Sequence, residues 1–417
     1  MDRGLVERVL AAVDRDALLE LAQRLVRIPS FCPDETPVAR FLAEYFRERG
    51  YAVELQEVEP GRFQTIATLR GTGGGRSLML NGHLDINSLA RGWTRDPFDP
   101  WIEGDRLYGH GIQNMKGGVA TMIEAVEAIR RAGFRAAGDI VLACVVGETQ
   151  GGEGSRYLAE HGPRTDMAIL PEPYGLGNLV TIHGGIVHLA IHTFGVTGHI
   201  SQIEHTVSAV AKMTKVVQAL AAIRFSYTPH AALPALPRLN VGSIIGGRGE
   251  RYVLVEPPYV PDLCTIIVDV HFVPGQTVES IVADIRRTLD PLRASDPELR
   301  YEVEIPPPAY FRGRRRLVMQ PVDVPTNADV VQAVARHHQA VTGRPPAVIG
   351  ALLPMSYSAG DASWLWGTAG ITSVYYGPGG GFLEPGPGGS YALISEMLAC
   401  AKVLALTALD VTSPVRA

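Results

Sequence analysis

Three stretches of this chain carry side chains able to do chemistry on a small molecule, and each follows a short apolar run. The first is His83-Leu84-Asp85, which closes the segment Ser77–Leu80 and the turn Asn81-Gly82. A His with an Asp two residues on, at the end of a buried strand, suits a metal ligand and the carboxylate that orients it. The second is Gly147-Glu148-Thr149-Gln150-Gly151-Gly152, at the end of the run Asp139–Val146. A glutamate there can give and take protons, with its pKa set by burial and neighbours. The third is Pro171-Glu172-Pro173, after Met167–Leu170. Between the first two, Gly109 and Gly111 bracket a turn, and Asn114 stands where a bridging metal site would want a carboxylate.

The elements that must position these groups read as repeated strand–loop–helix units. Apolar residues at helical spacing (Leu18, Leu19, Leu21, Leu25, Val26) end at Pro29, and Val38–Gly50 is a second amphipathic helix. Tyr51–Glu57 and Gln64–Leu69 alternate as strands, and Gly117-Gly118 opens a helix. This pattern predicts an α/β sheet with polar residues gathered at its strand ends. From about Gly185 the texture changes: Ile186–Phe194 and Cys264–Phe272 alternate like antiparallel strands, with helices at Val207–Arg224 and Val278–Leu292. The expected architecture is therefore a catalytic α/β sheet domain in two parts, 1–184 and 304–417, with an inserted α+β lid at 185–303.

A chain of 417 residues exceeds one core, in keeping with two domains. A net charge of −5 gives no support for a nucleic-acid or anionic-membrane partner. Cys32, Cys144, Cys264 and Cys400 are scattered, which argues against a disulfide framework and for a reducing compartment. The charged start MDRGLVERVL lacks an apolar core, and no stretch is long and apolar enough to span a bilayer, so a cytoplasmic location is expected.

Several motifs in order, NGHLD, GWTRDPF, RLYGHGIQNMKGG, ETQGGEG, ILPEP, GVTGH, AGDAS and YYGPGG, resemble the M20 family of zinc aminoacylases and peptidases. That resemblance implies a catalytic domain with an inserted lid that pairs with a second subunit. It also implies two zinc ions held by His and carboxylate ligands, with a separate Glu as general base on a bridging water. Position by position, His83 matches the first His ligand, Asp85 the carboxylate behind it, Glu148 the base and Glu172 a terminal ligand. His199 in the lid matches the His that reaches across the dimer to polarise the scissile carbonyl. Other ligand positions depart from the pattern. The bridging Asp is Asn114, the ligand after the base is Thr149, and FLEPGPGGSY offers Glu384 in place of a His. His271 stands where an Arg often grips the substrate carboxylate.

Replacing two carboxylates by an amide and a hydroxyl removes two strong zinc donors. No cofactor is expected, or at most one zinc between His83 and Glu172. Asn114, Thr149, His271 and Gly360 (in AGDAS) then become substrate-binding positions, and Glu148, His199, Asp85 and His83 the catalytic ones. The expected function is action on an amide or acyl bond of an amino-acid-derived small molecule, by metal-independent hydrolysis, acyl transfer or cyclisation, in a homodimer joined through the lid. The alternatives are a single-zinc deacylase and a non-catalytic binding protein. His110 reads as a packing residue. His183, His188 and His192 are expected to face solvent or an interface, His337-His338 the surface, and Trp93, Trp101, Trp364 and Trp366 the core or cleft wall.

Overall fold

The computed structural model describes residues 3–89, 92–93, 95–305, 318–381 and 390–414. Two compact units divide the chain: Met1–His183 with Val322–Ser356 and Gly360–Ala417, and Gly184–Pro321 with Tyr357–Ala359. The last strand of the second unit is Arg300–Glu304. Residues 318–321 nevertheless stay with that unit, because Met319 and Ile186 exchange backbone hydrogen bonds of 2.9 and 3.0 Å.

The first unit is built on an eight-stranded mixed sheet. Leu78–His83 lies at its centre, parallel to both Ile140–Val145 and Met167–Leu170, and Thr372–Tyr375 continues the parallel set. Ala52–Glu59 and Arg62–Leu69 add antiparallel strands on one side. Leu78–His83, Ile140–Val145 and Met167–Leu170 are buried at every position, as strands covered by helices on both faces must be. One face is covered by Gly117–Arg131, which packs on Ile394–Val411 and on Arg15–Val26. The N-terminal helical pattern is broken into Arg3–Ala11 and Arg15–Val26, because Asp14 accepts from the amides of Asp16 and Ala17 and caps the second helix.

The second unit has the order strand, helix, two strands, helix, strand: Gly185–Phe194, Ala209–Leu220, Arg238–Gly247, Leu263–Phe272, Val278–Leu289 and Arg300–Glu304. Its four strands form one antiparallel sheet with Arg238–Gly247 at an edge. A core of Val187, Leu189, Ile266, Val268, Met213 and Ile281 lies between sheet and helices.

Several histidines depart from expectation. His337 and His338 are buried, because their helix turns them toward Asp410 (3.0 Å) and the Tyr376 hydroxyl (2.9 Å). His183 is buried against the Tyr375 ring, with centroids 4.6 Å apart. His192 is buried between the Thr265 hydroxyl at 2.7 Å and Glu304 at 3.1 Å. A polar partner within reach makes the interior tolerable for His192, His337 and His338.

Candidate active site

His83, Glu148 and Glu172 leave the sheet at the same end because their strands are parallel and in register. His83 pairs with Val145 and Leu80 with Ile169, so the three loops emerge side by side at the carboxyl ends of adjacent strands. The helix Gly117–Arg131 closes in from beside them. A Cβ at Gly118 would run into the Pro171 carbonyl oxygen, so only glycine lets that helix reach the loop bearing Glu172.

His83 is buried and held at both ring nitrogens. Nδ1 donates to the Asp85 carbonyl oxygen at 3.0 Å and lies 3.5 Å from its carboxylate, while Nε2 donates to the Asn114 amide oxygen at 3.0 Å. With oxygen acceptors on both sides, the ring is assigned both protons. The Asp85 carboxylate ties the second loop down, accepting from the Glu148 amide at 3.0 Å and from the Thr149 amide and hydroxyl at 2.9 and 2.7 Å. Burial disfavours charge on both His83 and Asp85, yet their mutual attraction wins. That attraction, with Glu172 and Glu148 adding to it, raises His83; with the hydrogen bonds from Thr149 it holds Asp85 well below the usual carboxylate range.

Two further carboxylates face His83: Glu172 at 3.8 Å and Glu148 at 4.0 Å from Nε2. Burial is the largest influence on each and pushes both upward. His83 opposes it, and the charges of Glu172 and Asp361 reinforce it at Glu148. The cation that favours the ionised forms of Glu148, Glu172 and Asp361 is His83. Burial thus favours the protonated forms of these acids and the His83 cation the ionised ones, the balance by which a carboxyl can serve in general acid–base work.

Five of the expected residues, His83, Asp85, Asn114, Glu148 and Thr149, are joined by these bonds, and Glu172 stands beside them. Gly360 lies in the same unit and packs on Tyr375, whose hydroxyl would be 2.7 Å from a Cβ there. His199 and His271 belong to the second unit. His199 is exposed, bonded to the Ser201 hydroxyl at 2.9 Å, with its ring edge-on to Tyr259. His271 donates to the Tyr357 carbonyl oxygen at 2.6 Å and to Asp269 at 3.1 Å, which occupies both of its nitrogens. Glu384 lies outside the described residues. His110 packs among Phe31, Trp93 and Phe98 and bonds the Asn87 carbonyl oxygen at 2.7 Å.

Two features escape the sequence reading. Asp361 is buried next to the Glu148–Gly152 loop, and its motif AGDAS was its only signal. The second is Arg62, buried and bonded to Glu35, Glu153 and Glu59, with Nη2 2.9 Å from the Cys32 sulfur. It packs behind the catalytic loop: a Cβ at Gly147 would stand 2.8 Å from Arg62 Nη2. Donor atoms of Cys32, Glu35 and Asp85 lie within 4.8 Å of one another, a spacing that could suit an ion. The guanidinium already supplies the positive charge there, and burial pushes the Cys32 thiol up, away from the thiolate a metal needs.

Among the described residues, His83 and Glu172, 3.8 Å apart, are the pair that could hold a zinc ion. The Asn114 oxygen is taken up by His83, and the Thr149 hydroxyl points its proton at Asp85.

A mixed α/β sheet with its acids and histidine at the parallel strand ends, and a separate α+β unit inserted in the chain, define an α/β protein with a polar cluster where such folds place their active sites. The chain belongs to peptidase family M20/M25/M40, whose pattern matches residues 79–410. Among curated relatives, it is 28% identical to the N-formyl-4-amino-5-aminomethyl-2-methylpyrimidine deformylase of Halalkalibacterium halodurans, over 90% of both chains. It is 30% identical to the acetylornithine deacetylase of Proteus mirabilis, over 67% of this chain and 73% of that one. Among solved structures, a dipeptidase of Saccharomyces cerevisiae superimposes with a TM-score of 0.76, covering 98% of each chain at 12% identity. A tripeptidase of Staphylococcus aureus does so with 0.73, covering 96% of this chain and 99% of that one at 19% identity. The protein is thus an M20 amidohydrolase-fold enzyme.

Proposed function

We propose that this enzyme hydrolyses the amide of a small N-acylated amine, with Glu148 moving the proton. The observation that carries this reading is the convergence of Glu148, Glu172 and doubly bonded His83 at three adjacent strand ends. Glu148 takes a proton from water as its oxygen attacks the acyl carbon. The His83 cation, fixed by Asp85 and Asn114, offsets the negative charge that develops on the acyl oxygen. Glu148 then returns the proton to the departing nitrogen as the C–N bond breaks, leaving a carboxylic acid and an amine. Burial supports both halves of that cycle, because a carboxyl raised toward neutrality is a stronger base and can hold a proton between steps. The deformylase and deacetylase relatives make formyl and acetyl amides the first acyl groups to try.

The donor set supports turnover without a two-zinc centre. A second reading, one metal held by His83 and Glu172, is favoured by their 3.8 Å separation, near the roughly 3.4 Å that two ligands of a tetrahedral zinc span. The deciding experiment is amide hydrolysis by wild type and Glu148→Gln, with and without chelator. Loss of at least ~100-fold on Glu148→Gln, with full activity in chelator, is expected. Activity lost to chelator and restored by zinc establishes the one-metal reading instead.

A homodimer through the second unit is part of the proposal. Its edge strand Arg238–Gly247 leaves Ile244 exposed, and Ile200, Ile203, Leu254, Val255 and Tyr259 add further exposed apolar surface on the same unit. Such a concentration of large apolar side chains is characteristic of an association surface. His199 stands beside Ile200 on that surface. The four free cysteines support a reducing compartment such as the cytoplasm. No helix among the described residues is long and apolar enough to cross a membrane.

A further inference from the structure

Asp361 occupies the cap position of the short helix Ala362–Gly367 and makes no capping bond. Its side chain is 1% exposed, and Oδ1 has no hydrogen-bond partner among the described residues. The carboxylate is steadied by Ser155 and lies against Gly152, where a Cβ would be 2.8 Å from Oδ1 and 2.7 Å from Trp364 Nε1. That indole N–H is spent on the Gly151 carbonyl oxygen at 2.9 Å, so it does not satisfy the acid. Asp361 stands in the electrostatic field of His83, Asp85 and Glu172 and in turn acts on Glu148. Burial raises its carboxyl to about 7.

A buried carboxylate oxygen without a donor destabilises the fold, and asparagine of the same shape would cost less. Groups retained at such a cost sit where a ligand completes them. The buried acids Asp85, Glu172 and Asp361 and the half-buried Glu148 have one imidazolium among them. A ligand carboxylate would bring one more acceptor to a set already rich in acceptors, whereas an N–H donor supplies what the Asp361 oxygen lacks.

We propose that Asp361 is a substrate-binding residue whose free oxygen accepts an N–H from the amine half of the substrate. The substrates are then N-acyl derivatives of amines with a further cationic or N–H-rich nitrogen, not of amino acids gripped by their carboxylate. This rests on the amide-hydrolase reading and narrows it.

Calorimetric titration of the full chain, wild type and Asp361→Asn, with three probes tests it: 4-amino-5-aminomethyl-2-methylpyrimidine, 5-aminomethyl-2-methylpyrimidine, which lacks the ring amine, and N-acetylglycine. Wild type is expected to bind at least one of the two amines more tightly than N-acetylglycine. Asp361→Asn should weaken that amine at least tenfold while its melting temperature stays level or rises. Unchanged amine affinity in Asp361→Asn overturns the proposal, as does tighter binding of N-acetylglycine by wild type. A lower melting temperature with equal weakening of all three probes marks Asp361 as structural and also overturns it. Should the variant not fold, the wild-type ranking of amines against N-acetylglycine, read by thermal shift, decides alone. A wild type that binds the amine through Asp361 yet cleaves no formamide removes the hydrolase reading and leaves this one standing.

Discussion

His83 Nε2 and the Asn114 amide oxygen are 3.0 Å apart, so an amide occupies the ring nitrogen that would otherwise be offered to a metal. Asn114→Asp places a carboxylate there and restores a strong donor between His83 and the second loop. The variant is expected to retain more zinc than wild type after equilibration with zinc and desalting, measured by elemental analysis. Equal zinc content in both would show that position 114 does not limit metal binding.

Arg62 sits between Glu35 and Glu153, and all three side chains are buried. Arg62→Met leaves both acids without their cation and should cost about 3–5 kcal/mol in urea unfolding. Adding Glu35→Gln and Glu153→Gln to it should recover part of the loss, because the stranded charges are then gone. A single-variant loss under about 1 kcal/mol would show that the acids find other partners or protonate cheaply.

Lys116 is buried, and its ammonium donates to the Leu25 and Ile28 carbonyl oxygens at 2.8 and 2.7 Å. Burial pulls its pKa from 10.5 to about 7, although the two carbonyls favour the charged form. Between those values the unfolded chain binds a proton that the folded chain does not, so stability should rise with pH from about 7 to 10.5. Below that window both states are protonated and the penalty is constant. The rise is at most about 1.4 kcal/mol per pH unit, and Lys116→Met should flatten it. Urea midpoints at several alkaline pH values, compared between the two proteins, measure it.

Ile244 is 56% exposed on the edge strand of the second unit. If the proposed dimer forms through this surface, Ile244→Glu should sediment as a monomer where wild type sediments as a dimer, with little change in melting of the monomer. A wild type that sediments as a monomer removes the dimer reading altogether.

Much of the catalytic unit is legible in the sequence because its strands are short apolar runs closed by glycine turns, and polar residues follow each run. That logic places His83, Glu148 and Glu172 at strand ends without coordinates. It extends to the βαββαβ order of the second unit, where alternation marks Gly185–Phe194 and Leu263–Phe272. It fails for His183, His337 and His338, since a one-dimensional pattern shows a polar residue but not the Tyr375 ring, the Asp410 carboxylate or the Tyr376 hydroxyl that makes its burial possible.

By itself the sequence determines which donors are present: the amide at 114, the hydroxyl at 149 and the carboxyl at 148 are fixed by the chain. What those groups bond is decided by strands meeting in register across long separations, which no local pattern encodes. Folding alone turns Asn114 onto His83, hangs the Glu148 loop on Asp85 and buries Asp361 with one oxygen unpaired among the described residues. Hydrogen bonds are short-ranged and directional, so their partners exist only once the sheet has brought residues 83, 114, 148 and 361 together.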